Sequence, residues 1–267
     1  MCYNRTKTKG NFMEMFRKVI PCLDTKNGKL VKGVNFVDLK DLGDPAEAAA
    51  AYCAAGADEL VLLDITATLE ARATLLDAVK RTVARITCPL TIGGGVRCVD
   101  DIQALFDLGV SKASINSAAV KHPELLREAA ERFGSDRITL AVDTRHNAAL
   151  PSGFEVMVSG GTVGTGLDAV AWARKAQTLG VGAILPTSME GDGSQQGYDI
   201  PMTRAIADAV TIPVIASGGA GTLAHLSTAV LEGHADSVLV ASIAHFGMFS
   251  IRQMKEHLQA NGIPVRL

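Results

Sequence analysis

The chain has 267 residues, 48% of them apolar and 4% aromatic, with a formal net charge of −2. That is enough apolar chain for one large domain, and barrels of alternating strands and helices often use about 250 residues as one. Acids and bases are interspersed without the basic stripe of a nucleic-acid binder, and no apolar run reaches the roughly 18 residues of a membrane span, so neither nucleic acid nor membrane is expected as a partner.

Ala, Val, Leu, Ile and Gly dominate, a mix suited to parallel strands covered on both faces by helices. The five cysteines (Cys2, Cys22, Cys53, Cys88, Cys98) are odd in number and contain no CxxC pair. They argue against a disulfide framework or a structural zinc, and they suit a reducing cytoplasm. The opening MCYNRTKTKGNFMEMF lacks the apolar segment of a signal peptide. Residues 1–14 read as a loose N-terminal extension and 15–267 as the domain.

From Lys18 onward, short β-rich runs alternate with segments of helical period. The expected strands are KVIPCL (18–23), ELVLLD (59–64), PLTIG (89–93) and KASIN (112–116), then RITLAV (137–142), AILPT (183–187), IPVIA (212–216) and DSVLVA (236–241). Helices are expected over 44–56, 69–81, 101–109, 123–134, 168–180 and 201–210, several with Asp or Pro at the start and Gly at the end. Eight strands, each followed by a helix, predict an α/β fold, a single (β/α)8 TIM barrel. A doubly wound open sheet is the alternative, and it more often stops at five or six strands.

The chain also repeats itself. TIGGGVR after the third strand is echoed by IASGGAG after the seventh, with Gly95 and Gly219 separated by 124 positions. Asn116 and Ser117 after the fourth strand match Ala241 and Ser242 after the eighth. CLDT and AVDT pair the first and fifth strands, placing Asp24 and Asp143 in register 119 positions apart. The barrel is therefore expected to consist of two (βα)4 half-barrels.

In such a barrel the strand C-terminal ends open on one face. Bare glycine turns let backbone N–H groups face an anion, and loops seven and eight are the usual phosphate site. Here loops three and four repeat the arrangement, so two phosphate sites should face each other and suit a ligand with a phosphate at each end. Either turn alone is equally well a tight strand-to-helix connection. Asp24 and Asp143, on opposite sides of the mouth, suit general acid–base work, although an Asp after a strand can also merely fix a turn. The six histidines are scattered and suggest surface or capping roles; no metal and no cofactor is expected.

The motifs IPCLDTKNGKLVKGVNF, GDPAEAAAAY, DELVLLDIT, TIGGGVR, SINSAAV, TSMEGDGSQQGYD and IASGGAG run across nearly the whole chain from Lys18. On these the sequence resembles the cyclase subunits of imidazole glycerol phosphate synthases, a family of histidine biosynthesis. The resemblance implies a lyase that uses ammonia to convert a bis-phosphorylated ribulosyl formimino aminoimidazole carboxamide ribotide. The products are imidazole glycerol phosphate and aminoimidazole carboxamide ribotide. Asp24 and Asp143 match the acid–base pair. Gly95, Asn116 and Ser117 match one phosphate site, and Asp192, Gly193, Gly219, Ala241 and Ser242 the other. Lys32 matches a lysine of a first loop that closes over substrate.

The resemblance also implies a glutaminase subunit docked as a heterodimer on the N-terminal barrel face. Lys18, Glu59 and Lys112 match three of four charged residues at the ammonia inlet, but the fourth position is Ala183. Ser111 replaces an interface aspartate and Gly191 stands where an arginine is common, which puts gating and partner activation in question. The nearest rival is the sibling isomerase of the pathway, which shares the two-fold barrel, phosphate sites and aspartates. A second is a non-catalytic barrel that binds phosphorylated ligand and regulates a glutaminase.

Overall fold

In β1 (Lys18–Lys26), seven consecutive residues from Val19 to Thr25 are buried. That is the signature of a parallel strand covered on both faces, where no side can be given to water. The computed structural model describes residues 16–34, 37–65 and 69–267, with the side chains of 32–40 and 66–73 outside that description. The extension of residues 1–14 lies outside the described residues.

The remaining barrel strands are β4 (Leu60–Asp64), β5 (Leu90–Gly93), β6 (Lys112–Ile115), β7 (Ile138–His146), β10 (Ala183–Ser188), β11 (Ile215–Ala216) and β12 (Ser237–Val240). Parallel pairing runs β11-β12-β1-β4-β5-β6-β7, and β10 pairs with the far edge of β7. Isolated parallel bridges Ile184↔Val214 and Thr187↔Ser217 carry β10 back to β11. The expected (β/α)8 barrel is the one observed, each expected strand being present. The seventh is shorter than IPVIA suggested, reduced to Ile215–Ala216 plus these bridges.

Two antiparallel hairpins were not anticipated. β2 (Lys29–Val34) and β3 (Val37–Gly43) follow β1, and β8 (Phe154–Val158) and β9 (Val163–Asp168) follow β7. They occupy equivalent places in the two halves, so the internal repeat extends beyond the motifs that revealed it.

The outer helices begin where short polar side chains can accept from the first free N–H groups. Asp44 caps α1 (Pro45–Ala54), Asp168 caps α6 (Ala169–Thr178), and Asp199 caps α7 (Ile200–Ala209). Helices α2 (Leu69–Val83), α3 (Val99–Asp107), α4 (Ser117–Lys121) and α5 (Glu124–Phe133) complete the first half. The second half adds α8 (Leu223–Leu231), α9 (Ser242–His245) and α10 (Ile251–Ala260). Among the described residues no helix is long and apolar enough to cross a membrane.

Strand period two sorts the side chains. Leu23, Leu60, Leu62, Ile138 and Leu140 face outward into a core shared with the helices. A separate apolar cluster, Ile20, Cys22, Val61, Leu185, Ile215 and Leu239, fills the barrel interior. The alternation that points Ile20 and Cys22 inward also points Lys18 and Asp24 inward, at opposite ends of one column. Six residues of strand separate these two, roughly 20 Å.

Candidate active site

Around the closed sheet β1 and β7 are four strands apart, so Asp24 and Asp143 face each other across the C-terminal mouth. Asp24 is 4% exposed, and the Cys22 thiol donates to its Oδ1 at 3.6 Å. Asp143 remains partly open to the mouth. Asn116, at the end of the neighbouring strand β6, donates from Nδ2 to Asp143 Oδ2 at 2.9 Å. Burial pushes the Asp143 carboxyl up to about 6; the Asn116 bond opposes the rise and the Asp192 charge adds to it.

The two halves differ at this point. Asn116 corresponds to Ala241, which follows β12 beside β1 and has no side-chain donor to offer Asp24. The backbone is two-fold, but the surroundings of the two carboxyls are not. Separating the environments of a carboxyl pair is how one fold obtains distinct proton-handling roles.

The glycine turns carry a packing duty that sequence alone did not reveal. Gly94 (φ +88°) and Gly218 (φ +87°) occupy equivalent positions. A Cβ on Gly94 would overlap the Asp64 carbonyl at the end of β4, and one on Gly218 would lie 2.8 Å from the Ser188 carbonyl oxygen at the end of β10. Both turns therefore close against the preceding strand. Gly95 (φ +68°) is different, because a Cβ there would meet nothing within 4 Å. Gly219 is crowded by the Gly197 carbonyl, whose N–H in turn donates to Gly219 O at 2.7 Å.

Asp192, Gly193, Gly219, Ala241 and Ser242 all line one small pocket with Gly218, Ala220 and Leu239. The Asp192 N–H is committed to Ser188 O at 2.9 Å, so this residue contributes a wall and a charge rather than a free backbone donor. Across the mouth, Gly95 and Asn116 end adjacent strands. Ser117 opens α4, and its hydroxyl accepts from Ser159 N at 3.1 Å. Lys32 sits in β2 with its backbone paired to Lys40, and its side chain lies outside the described residues.

At the opposite end, Glu59 is 2% exposed. It accepts from Lys112 Nζ at 2.9 Å through both oxygens, from Lys18 Nζ at 3.3 Å and from Thr91 Oγ1 at 2.8 Å. Lys18 and Lys112 come from strands separated by β4 and β5, so they can share one carboxylate only through the barrel interior. Burial would raise the Glu59 carboxyl, but the charges of Lys112 and Lys18 and the bonds from Lys112 and Thr91 hold it below the usual range. Ala183 is buried and adds no charge, while Ser111 Oγ accepts from Leu90 N at 3.3 Å.

The fold also assembles groups that spacing did not connect. His146 Nε2 lies 2.9 Å from Asp199 Oδ2 and 3.6 Å from Glu190 Oε2. These three offer ligand atoms within 4.8 Å of one another. His245 Nε2 lies 2.8 Å from Cys22 O and its Nδ1 2.7 Å from Tyr52 Oη. A carbonyl only accepts, so Nε2 carries the proton and Nδ1 accepts from the tyrosine, whose hydroxyl burial has pushed up to about 12. His225 does take the expected capping role, completing a capping box with Thr222 at the start of α8.

A two-fold (β/α)8 barrel, with paired carboxyls and glycine turns gathered at the strand C-terminal ends, defines the class as a barrel enzyme of this architecture. The family model described as Histidine biosynthesis protein matches residues 18–250, and the chain belongs to that family. Its members are histidine-biosynthesis enzymes, comprising an isomerase and a cyclase.

Proposed function

We propose that the chain is the cyclase subunit, converting the bis-phosphorylated ribulosyl ribotide and ammonia to imidazole glycerol phosphate and aminoimidazole carboxamide ribotide. The observation that carries this reading is the cluster of buried Glu59 with the partly exposed Lys18 and Lys112 at the N-terminal end of the barrel. A reaction confined to the opposite mouth does not itself call for an ion cluster there. A small nucleophile entering from that end does, and the column above it (Ile20, Cys22, Val61, Leu185, Ile215, Leu239) is apolar enough to favour neutral ammonia over a charged ion. A glutaminase docked on that face is the partner this reading calls for.

In this reading Asp143 is the proton-exchanging group, since a carboxyl near 6 can both take and return a proton close to neutrality. Asp24 is its partner across the mouth. The Asp192–Ser242 pocket and the Gly95–Asn116–Ser117 turn take the two phosphates.

The test mixes purified protein, the bis-phosphorylated substrate and an ammonium salt at mildly alkaline pH and follows substrate absorbance. Ammonium-dependent loss is the expected result. Conversion of the isomerase's substrate instead would assign the sibling reaction. Tight ligand binding with neither turnover would favour a regulatory barrel.

A further inference from the structure

Cys53 lies in the last turn of α1, and Cys88 leads into β5, both toward the N-terminal end of the barrel. Cys53 Sγ accepts from Cys88 N at 2.9 Å and from Thr87 N at 3.3 Å, and lies 3.4 Å from Thr87 Oγ1. The two thiols are close enough to influence each other's ionisation. Burial raises the Cys53 thiol, but its surrounding donors outweigh burial and hold it below the ordinary range. Cys88 moves the other way, pushed up to about 12 by burial and then by the neighbouring Cys53. The donors gathered on Cys53 Sγ therefore favour the thiolate there, and Cys88 keeps its proton more firmly. Both side chains keep partial access to solvent, whereas Cys22 is buried in the barrel interior.

We propose that Cys53 and Cys88 are a reversible redox pair, Cys53 the nucleophile toward a peroxide and Cys88 the resolving thiol. In the first step the Cys53 thiolate attacks one peroxide oxygen. An S–O bond forms, the O–O bond breaks, and hydroxide leaves and is protonated to water. In the second step Cys88 sulfur attacks the Cys53 sulfenic acid. The S–S bond forms, the S–O bond breaks, and hydroxide departs with the Cys88 proton as water. Two thiols lose two electrons together, and one hydrogen peroxide is reduced to two waters.

The geometry bears on the second step, because Cys53 Sγ sits 2.9 Å from the amide nitrogen of the residue that carries the resolving thiol. The bond would fasten the end of α1 to the entry of β5. It would do so beside a recess lined by Thr87, Cys88, Pro89, Gly109 and Ser111. The odd cysteine count argued against a permanent disulfide framework, and a reversible pair is consistent with the free thiols seen here.

The test treats the intact protein with hydrogen peroxide near neutral pH, blocks remaining thiols, and maps peptides by mass. The expected product has lost two hydrogens and carries a Cys53–Cys88 crosslink that dithiothreitol reverses. Cys53 should be consumed several-fold faster than the exposed Cys98, and its alkylation rate should titrate below that of an ordinary thiol. Cys88→Ser should leave a Cys53 sulfenic acid that dimedone traps, and Cys53→Ser should remove both crosslink and trapping. Equal rates at Cys53 and Cys98, a crosslink elsewhere, or sulfinic acid on Cys53 with Cys88 intact would overturn the proposal.

Discussion

Glu59 and Asp143 point into opposite ends of the same barrel interior, and their carboxyls are displaced in opposite directions. Glu59 is buried and Asp143 partly so, and burial by itself raises a carboxyl. Glu59 meets two ammonium groups and a hydroxyl and stays ionised. Asp143 meets one amide and a neighbouring carboxylate and is left near 6. One end of the barrel stabilises a fixed charge; the other holds a charge poised to change.

Asp143→Asn is expected to stabilise the protein above neutrality while abolishing turnover. A folded value raised above the unfolded one gives stability that is complete below the unfolded value and lost as pH rises through about 6. The ionised form thus costs the folded state at most about 3 kcal/mol, and Asn removes that cost while still accepting from Asn116. Thermal unfolding of both proteins across pH checks this. The variant's advantage should appear as pH rises through 6 and vanish in acid; a variant less stable at alkaline pH would contradict the desolvation of Asp143.

Glu59→Gln should act in the opposite sense. The depressed Glu59 carboxyl contributes stability above the ordinary carboxylate range, and that contribution is lost as pH falls through its folded value. Removing the charge leaves the Lys18 and Lys112 ammonium groups without this counter-charge, at a cost of about 1–3 kcal/mol, between an exposed and a buried pair. The intermediate range applies because the two lysine side chains are 42% and 24% exposed. Urea unfolding should show the deficit near neutrality and its shrinkage only once the pH falls below the ordinary carboxylate range.

The adjacent glycines Gly94 and Gly95 should respond differently to alanine. Gly94→Ala combines a left-handed backbone with overlap on the Asp64 carbonyl, and we expect a loss of at least about 3 kcal/mol or failure to fold. Gly95→Ala has room for its methyl and pays only the backbone term, about 1–2 kcal/mol. If Gly95 faces a substrate phosphate, its variant should stay folded and lose affinity for inorganic phosphate. Calorimetric titration with phosphate, beside thermal unfolding, separates the two effects.

Tyr52→Phe removes the hydroxyl that donates to the half-buried His245 Nδ1. The expected cost is about 1–3 kcal/mol by chemical denaturation. His245 bonds to the carbonyl of Cys22, two residues before Asp24. A fall in kcat with KM unchanged would show that this bond also positions the carboxyl.

The barrel was legible because its signals are local and repeated. Eight apolar runs with glycine turns state the strand count, and the matches Gly95–Gly219 and Asp24–Asp143 state the two-fold. The hairpins β2–β3 and β8–β9 were not read, since KNGKLVKGV and FEVMV had no barrel strand to account for and period-two pairing is weak evidence in short runs. The Asn116–Asp143 bond and the His146–Glu190–Asp199 group were invisible for another reason. Each joins residues from different strands or loops, and only the closing of the sheet fixes which inward columns face each other. One signal was present: the mismatch of Asn116 with Ala241 already marked the point where the halves diverge.

The seam where the barrel closes has a consequence for chain connectivity. Lys18 pairs with Ser237 across β1 and β12, and Arg17 N donates to Pro264 O at 2.7 Å, so the start of the first half touches the end of the second. The exposed turn at Ser135 and Asp136 divides the halves at the corresponding place. A circular permutant, opened there and spliced across the seam, would therefore be expected to wind the same cylinder with its halves translated in reverse order. Order of synthesis and order in space are separable in this molecule.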